Sequence, residues 1–254
     1  MKDFSFQGKI YLAQRGTDGK PLALAWVGDA SQLQVKLSVD TDERQESYSG
    51  SRLTSVRLIK ARKAEFSLTL NYFSKLNLGI ALSATPVDVT SGSVTAEPTP
   101  TGLVVGDVIA LDHKDVSALT ITDSSATPKT LVKDVDYAEE SLAGGLWRLL
   151  SVGTPTPYTQ PFKNAYTHAA EVRLPAFTGP TPERYLVLDG INTVDDSRVR
   201  VRLFRCSFNP TDTLDLITDS LGTLQLSGAV LYDSTNAADS NMGGFGRIEL
   251  PSET

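Results

Sequence analysis

The sequence predicts a mainly β protein in which a smaller, all-β domain is inserted into a larger one. Several segments alternate apolar and polar residues with period two, helical spacing is scarce, and two proline-rich stretches bracket a group of short strand-like segments. Such alternation is typical of antiparallel strands with one buried and one solvent-facing side. We therefore expect a β-sandwich or barrel with one flanking α-helix, a long loop and the inserted β domain.

Four alternating segments define the main predicted sheet. They are residues 32–39, 64–72, 198–208 and 223–231. In the first of them the apolar positions, predicted to be buried, are Leu33, Val35, Leu37 and Val39. In the third, the apolar set changes phase near Phe204–Arg205, which predicts a β-bulge. Cys206 follows directly and, between aromatic residues, is predicted to be buried rather than reactive.

Helical spacing is found in SKLNLGIALSA, where Leu78, Ala81 and Leu82 recur and Ser74 can cap the first turn. A second, short helix is predicted to start at Asp212, after a proline, although the residues that follow it are weak helix formers.

Proline and small polar residues cluster in two segments, 85–102 and 153–161, which predicts loops there. Four or five short strands lie between them, with enough apolar residues for a separate core. These residues include Val108, Ile109, Ile121, Tyr137 and Trp147. The predicted organisation is a host domain of residues 1–85 and 171–254, split by an inserted domain of residues 86–170.

Composition limits the classes of function. The chain has 254 residues, 40% hydrophobic content and a net charge of −6, which indicates a packed protein without a basic DNA-gripping surface. A mildly acidic wall would still suit a channel through which DNA passes. A single cysteine excludes an internal disulfide. Without a signal peptide or a run of about 20 apolar residues, we expect a soluble protein, made in a reducing cytoplasm, with no membrane contact.

Catalytic and metal-binding patterns are missing. The two histidines, His113 and His168, are far apart in sequence and are predicted to lie in an exposed turn and on a surface strand. An acidic cluster could suggest calcium, but it lacks the spacing of an EF-hand loop. Its residues are Asp134, Asp136, Glu139 and Glu140. We expect no enzyme activity, no cofactor and no metal site.

A basic stripe follows one predicted strand, with Arg198, Arg200, Arg202 and Arg205 in sequence. Single-stranded nucleic acid would need exposed aromatic side chains beside such a stripe. The arginines are therefore expected to pair with acids on a neighbouring strand or subunit.

The segment 39–63 is too long for a simple turn, and it is acidic in its first half and basic in its second. It also carries apolar residues that are unfavourable in water. Long loops in compact domains are usually functional or disordered. We therefore predict an arm that lies across another subunit, with a hairpin flap folded on its own domain as the alternative. Exposed sheet edges in such a chain would invite closure into a ring of copies.

The residues resemble a known family, the major tail tube proteins of long-tailed (siphovirus-like) bacteriophages. The resemblance lies in MKDFSFQGKIYL, in YSGSRLTSVRLIKARKAEFSLTLNYFSKLNLGIAL, in LVLDGINTVDDSRVRVRLFRCSFNPTDTLDLITD and in LQLSGAVLYD. It implies a tail-tube fold and a homo-hexamer whose rings stack into the hollow tube of the virion tail, assembled in the host cytoplasm. DNA would pass through without specific binding, and the other partners would be tape measure, terminator and baseplate or distal tail proteins.

The resemblance also implies roles for residues. The inter-ring stacking arm would contain Asp42, Glu43, Arg44, Glu46, Tyr48, Arg52, Leu53, Arg57, Leu58, Lys60 and Arg62. The lumen-facing candidates are Gln32, Gln34, Lys36, Ser38, Glu65, Ser67, Thr69, Asn71, Thr223, Gln225 and Ser227. The strand 198–208 would line the bore as well. The inserted domain would face outward, which favours a tail without a contractile sheath.

Two alternative functions remain open. One is a related tail terminator or baseplate hub ring, which would form a single ring rather than a polymer. The other is a carbohydrate-binding β-sandwich, for which the inserted domain offers only Trp147, Tyr137 and Tyr158 as aromatic residues.

Overall fold

The computed structural model describes residues 3–252 and is mainly β, with 47% strand and 4% helix, as the sequence predicts. The chain divides into two compact units. The core unit ends at Pro86 and resumes at Leu174, and the inserted unit spans Val87–Arg173. In the described part of the chain, no helix is long and apolar enough to cross a bilayer.

Strands and helices are numbered in chain order within residues 3–252. The strands of the core unit are β1 (Phe6–Ala13), β2 (Ala25–Trp26), β3 (Ala30–Gln45), β4 (Thr54–Leu70), β13 (Glu183–Asn192), β14 (Arg198–Phe208), β15 (Leu224–Val230) and β16 (Gly246–Glu249). Those of the inserted unit are β5 (Val87–Val89), β6 (Gly92–Pro98), β7 (Val108–Ala110), β8 (Val116–Thr122), β9 (Tyr137–Ser141), β10 (Leu146–Leu149), β11 (Lys163–His168) and β12 (Glu171–Arg173). The helices are α1 (Lys75–Ala81) and α2 (Ser234–Ala237).

The core unit is built on one antiparallel sheet in the order β2–β1–β13–β14–β15–β4–β3. One edge of β14 has two partners, because β16 pairs with its first half and β15 with its last three residues. The sequence patterns predict β3, β4, β14 and β15, whereas β1 and β13 are absent from the predicted strands.

The predicted long loop is instead a long β-hairpin. β3 and β4 stay paired from Ala30 opposite Leu70 to Gln45 opposite Thr54, so that only residues 46–53 form the turn. Strand pairing continues because the acidic and basic halves of the segment are cross-strand neighbours, and opposite charges across a strand pair are favourable. The predicted long loop is therefore confined to this turn, and the rest of the segment is strand.

The main hydrophobic core lies on one face of this sheet and under α1. It contains residues from five strands, among them Leu68, Leu186 and Leu226, and the rings of Phe66 and Phe208 meet edge to face at 4.9 Å between centroids. Helix α1 confirms the prediction: the Ser74 side chain accepts a hydrogen bond from the Asn77 amide. Cys206 is buried in the same core, and burial raises the pKa of its thiol.

A small second core lies on the opposite face of β13 and β14. Tyr185 and Val187 pack there with Phe204, while the intervening Leu186 belongs to the main core. The predicted bulge is confirmed, because Arg184 opposes Cys206 and Leu186 opposes Leu203, which leaves Phe204 and Arg205 opposite one residue.

The helix predicted at Asp212 is wrong. Residues 211–223 form an irregular loop, in keeping with their weak helix propensity. The second helix of the described chain is α2, a single turn in which Asp233 caps the amides of Thr235 and Asn236.

The inserted unit contains two three-stranded sheets, β7–β10–β9 and β6–β11–β8, and the pair β12–β5. Its core holds four of the five predicted residues, whereas Val108 is exposed. The first proline-rich segment, predicted as a loop, contributes β5 and β6. Its threonines and valines are good strand formers, and proline occurs only at the end of β6, where a strand tolerates it.

The structure corrects the prediction for His113, whereas His168 lies on a strand, β11, as predicted. The His113 ring is largely buried and stacks on His168 with 3.6 Å between ring centroids, so it is not an exposed turn residue. It contacts Glu171 at 3.4 Å and the Arg173 guanidinium at 3.2 Å. The pair is brought together by β8 and β11, which are neighbours in one sheet.

A buried ion pair predicts how the stability of the core unit depends on pH. The Asp233 carboxylate is 1% exposed and accepts hydrogen bonds from Arg15 at 2.7 and 2.8 Å, which chiefly lower the pKa of Asp233 to about 2. An aspartate in an unfolded chain has a pKa of about 3.9. The pair therefore stabilises the fold fully above pH ~5 and loses its contribution as pH falls towards 2.

We expect Asp233→Asn to lower the free energy of unfolding by about 2 kcal/mol at pH 7 and to flatten its decline between pH 5 and pH 2. Urea unfolding at a series of pH values measures both effects. Asp219→Asn, in the exposed loop, is the control. Parallel acid profiles for the wild type and Asp233→Asn would contradict the assignment.

Candidate assembly surface

The hairpin arm, defined as residues 39–63, is exposed along almost its whole length and is not folded back on its own unit. Tyr48 at the tip is 90% exposed, and Leu53 and Leu58 are each about 60% exposed. The alternative of a flap folded on its own domain is therefore wrong.

The acidic and basic side chains of the arm pair with each other within the hairpin. Ion pairs join Asp40 to Lys63 at 2.5 Å, Asp42 to Lys60 at 3.0 Å and Glu43 to Arg57 at 3.4 Å. All six side chains are roughly half exposed, and exposed ion pairs contribute little stability. The acidic and basic halves of the arm thus face each other within the hairpin.

Glu46 has a structural role in the arm that its sequence position did not suggest. Its carboxylate accepts hydrogen bonds from the Tyr48 and Ser49 amides at 2.9 Å each and from the Ser49 hydroxyl. These bonds, led by the Ser49 hydroxyl, lower the pKa of Glu46 to about 2. The turn is therefore built around this carboxylate, which is not available to a partner.

An apolar strip runs along one face of the hairpin. Leu37 and Val39 on β3 share this face with Ile59 on β4, as the register requires. The alternation predicts burial for Leu37, but it is 77% exposed, and Val35 and Val39 are also exposed. The strand leaves its own core after Leu33. A pattern of period two predicts that a strand has an apolar face but not that this face is buried. In the described chain, the apolar face of β3 beyond Leu33 is not covered.

The outer edge of β3 is open. Within residues 3–252 this 16-residue strand pairs only with β4. At the other end of the sheet, β2 covers only Tyr11 and Leu12 of β1. Long open edges present unpaired amides and carbonyls that favour pairing with another strand.

The eleven predicted lumen residues form what we call the polar wall. Three rows cross the neighbouring strands β3, β4 and β15. They are Gln32–Thr69–Gln225, Gln34–Ser67–Ser227 and Lys36–Glu65–Ala229. The rest of the polar wall consists of Ser38, which lies further along β3, and Asn71 and Thr223, which flank β4 and β15. All eleven side chains are exposed or half-buried.

Charge on the polar wall is low and balanced. Lys36 and Glu65 pair at 3.3 Å, and the remaining nine residues are uncharged. Asn71 donates to the Asp29 carboxylate at 2.7 Å, and the Ser67 hydroxyl donates to Gln34 at 3.3 Å. The surface is therefore hydrated and nearly neutral.

Three of the four arginines of the basic stripe on β14 pair with acids on neighbouring strands, as the sequence predicts. Arg200 and Arg202 contact Glu249 of β16, and Arg205 contacts Glu183 of β13 at 2.8 Å. Arg202 is only 23% exposed. The first half of β14 is thus paired along its edge with the chain's own β16.

Acidic side chains suspected of binding calcium have other partners. Asp136 accepts from the Tyr158 hydroxyl at 2.8 Å, Glu139 contacts Lys133 and Glu140 contacts Arg148. Among the described residues, no group of three or more His, Cys, Asp or Glu side chains is placed to hold a metal ion.

The aromatic residues proposed for glycan binding are mostly internal. Trp147 and Tyr137 lie in the core of the inserted unit, and Tyr158 packs against that core. Glycan-binding platforms need an exposed ring face, so this arrangement removes the residues on which the carbohydrate alternative rests.

The fold and these surfaces define a mainly β protein with an open-edged sheet, an exposed hairpin and an inserted β unit. The profile of one family, described as Protein of unknown function UCP028589, matches residues 3–249. The chain belongs to this family, because the match covers nearly its whole length. No curated protein matches the sequence.

Proposed function

We propose that this protein is the tail tube protein of a long-tailed bacteriophage, a structural virion protein whose hexameric rings stack into a hollow tube. The observation that carries the proposal is the β3–β4 hairpin. One strand of 16 residues combines an unpaired edge with an apolar strip that its own unit does not cover.

The open edges support ring formation. A copy whose β3 edge pairs with the sheet of a neighbour extends that sheet, and a ring of copies closes it into a barrel without edges. In such a ring the hairpin arm has the length to reach an adjacent ring, where burial of its exposed Leu53, Leu58 and Ile59 would stabilise stacking.

The polar wall supports a conduit for DNA. A polyanion is retained by basic surfaces in proportion to the phosphates they neutralise. A wall of glutamine, serine and threonine, whose one lysine is paired with a glutamate, gives DNA little to bind. The assembled tube would contact tape measure, terminator and baseplate or distal tail proteins at its ends and interior.

The inserted unit fits the outside of such a tube, since the bore must remain clear for DNA. A projecting domain would obstruct a close-fitting sheath, so the proposal favours a sheathless tail.

Negative-stain electron microscopy of the concentrated, purified protein tests the proposal. We expect hollow tubes of uniform diameter with a regular axial repeat. Single closed rings that never stack would instead indicate the terminator or hub type of ring protein. Protein that stays monomeric at every concentration would contradict both.

A further inference from the structure

A groove lies beside α1 in the core unit. Its volume is about 740 Å³, and a proline-rich segment forms its opposite wall. Apolar and small residues line most of it, including Leu76, Gly79, Ile80, Ala84, Pro180 and Pro182. We call it the proline groove. Its walls are shaped by a helix and by prolines, whose backbone is restricted, so the groove is preformed rather than adaptable.

Arg184 lies at this groove without a counter-charge. Its guanidinium donates to the Glu183 carbonyl at 2.8 Å, and no carboxylate of the described residues is within ion-pair distance of it. The neighbouring Glu183 carboxylate is held by Arg205. Burial lowers the pKa of Arg184, which shows that its charge is partly desolvated. A half-buried cation of this kind is stabilised by an incoming anion.

The loop between β14 and β15 has the complementary chemistry. We call residues 211–222 the acidic loop, because it carries Asp212, Asp215 and Asp219 and no lysine or arginine. Its apolar residues Ile217 and Leu221 are 96% and 97% exposed. In the described chain, none of the three aspartates forms an ion pair with a base. Such clustered apolar exposure marks an interaction site.

We propose that the acidic loop of one copy docks into the proline groove of a second copy, with its apolar side chains in the groove and an aspartate at Arg184. Both halves of the match belong to the same chain, which favours a second copy over a foreign partner. A contact between two different surfaces of identical copies is head-to-tail, and it forms a closed ring when the rotation between neighbouring copies divides a full turn evenly. The inference rests on the proposed function, for which it supplies a subunit contact.

Cross-linking tests the contact directly. The chain has one cysteine, Cys206, which is buried, so added cysteines react alone. We expect Thr181→Cys with Ser220→Cys, both at exposed positions, to form a disulfide between copies. Mixing ¹⁵N-labelled and unlabelled protein before oxidation identifies it, because only a bond between copies yields a mixed-mass peptide pair. Cross-links confined to single chains would overturn the proposal.

Charge reversal tests the pairing. We expect Arg184→Glu to weaken self-association at least tenfold in sedimentation velocity, and the added changes Asp215→Arg and Asp219→Arg to restore it. Ile217→Ser with Leu221→Ser should weaken it similarly, and these exposed residues carry no risk to folding. Lys129→Glu, at an exposed lysine of the inserted unit, is the control and should have no effect.

The outcomes separate this inference from the proposed function. If the Arg184 and acidic-loop variants form normal tubes, the docking is wrong and the tube function stands. Cross-linked rings that never form tubes would support the docking and contradict the tube function.

Discussion

Replacing residues 41–60 with Asn-Gly will abolish the stacking of rings into tubes and leave the core unit folded. The replacement joins Asp40 to Ala61, which already lie opposite each other, by a two-residue turn that suits a hairpin. Among the removed residues only Glu46 is buried, and it serves the turn that is removed with it. No residue of the main core is lost, whereas the exposed Ile59 and Leu58 disappear.

Electron microscopy shows whether tubes form, and calorimetry shows whether the core unit stays folded. Glu43→Gln with Arg57→Gln is the matched control, because it removes an exposed ion pair and keeps Leu53, Leu58 and Ile59. This control should form tubes like the wild type. If the truncated protein still forms tubes of normal length, the hairpin arm has another role.

Phe208→Ala will destabilise the core unit by about 3–5 kcal/mol, the usual cost of removing a buried phenylalanine side chain. The Phe208 ring is fully buried, and its edge-to-face contact with Phe66 joins β14 to β4 across the main core. Truncation leaves a cavity that Phe66 fills poorly, because the surrounding strands are hydrogen-bonded on both sides.

Differential scanning calorimetry checks this prediction, and the transition of the inserted unit, which has its own core, should not move. Phe177→Ala is the matched control: the same change at a ring that is 75% exposed should cost less than about 0.5 kcal/mol. A loss below about 1 kcal/mol for Phe208→Ala would mean that the core is less tightly packed than described.

The strands with a solvent-facing side that alternates with a buried one were predictable, whereas β13, which is buried on both faces, was not. β15 alternates strictly between buried and exposed residues, and its limits match the prediction closely. In β13, by contrast, Tyr185, Leu186 and Val187 are buried in succession, because each face of the sheet is covered there by a different core. In a strand of this kind, apolar and polar residues do not alternate, so the sequence shows no period of two.

The assembly surface was predictable in its residues and less so in its form. The polar wall follows from the register of three strands, which alternation predicts. The acid–base pairing of the arm depends on which residues lie opposite each other, and the one-residue offset near Asp40 and Thr41 cannot be read from composition. The acidic loop was missed because a short helix was predicted to start there at Asp212, after a proline, although its aspartates and threonines disfavour one.

The sequence alone determined the mainly β class, the capped helix after Ser74, the bulge at Phe204–Arg205 and the burial of Cys206. These features depend on neighbours a few residues away. Tertiary packing was needed to show that His113 lies on His168 and that, within residues 3–252, Leu37 and Val39 are uncovered and Arg184 has no carboxylate partner. Each of these depends on segments distant in the chain, because burial and charge pairing are properties of the surroundings and not of the residue.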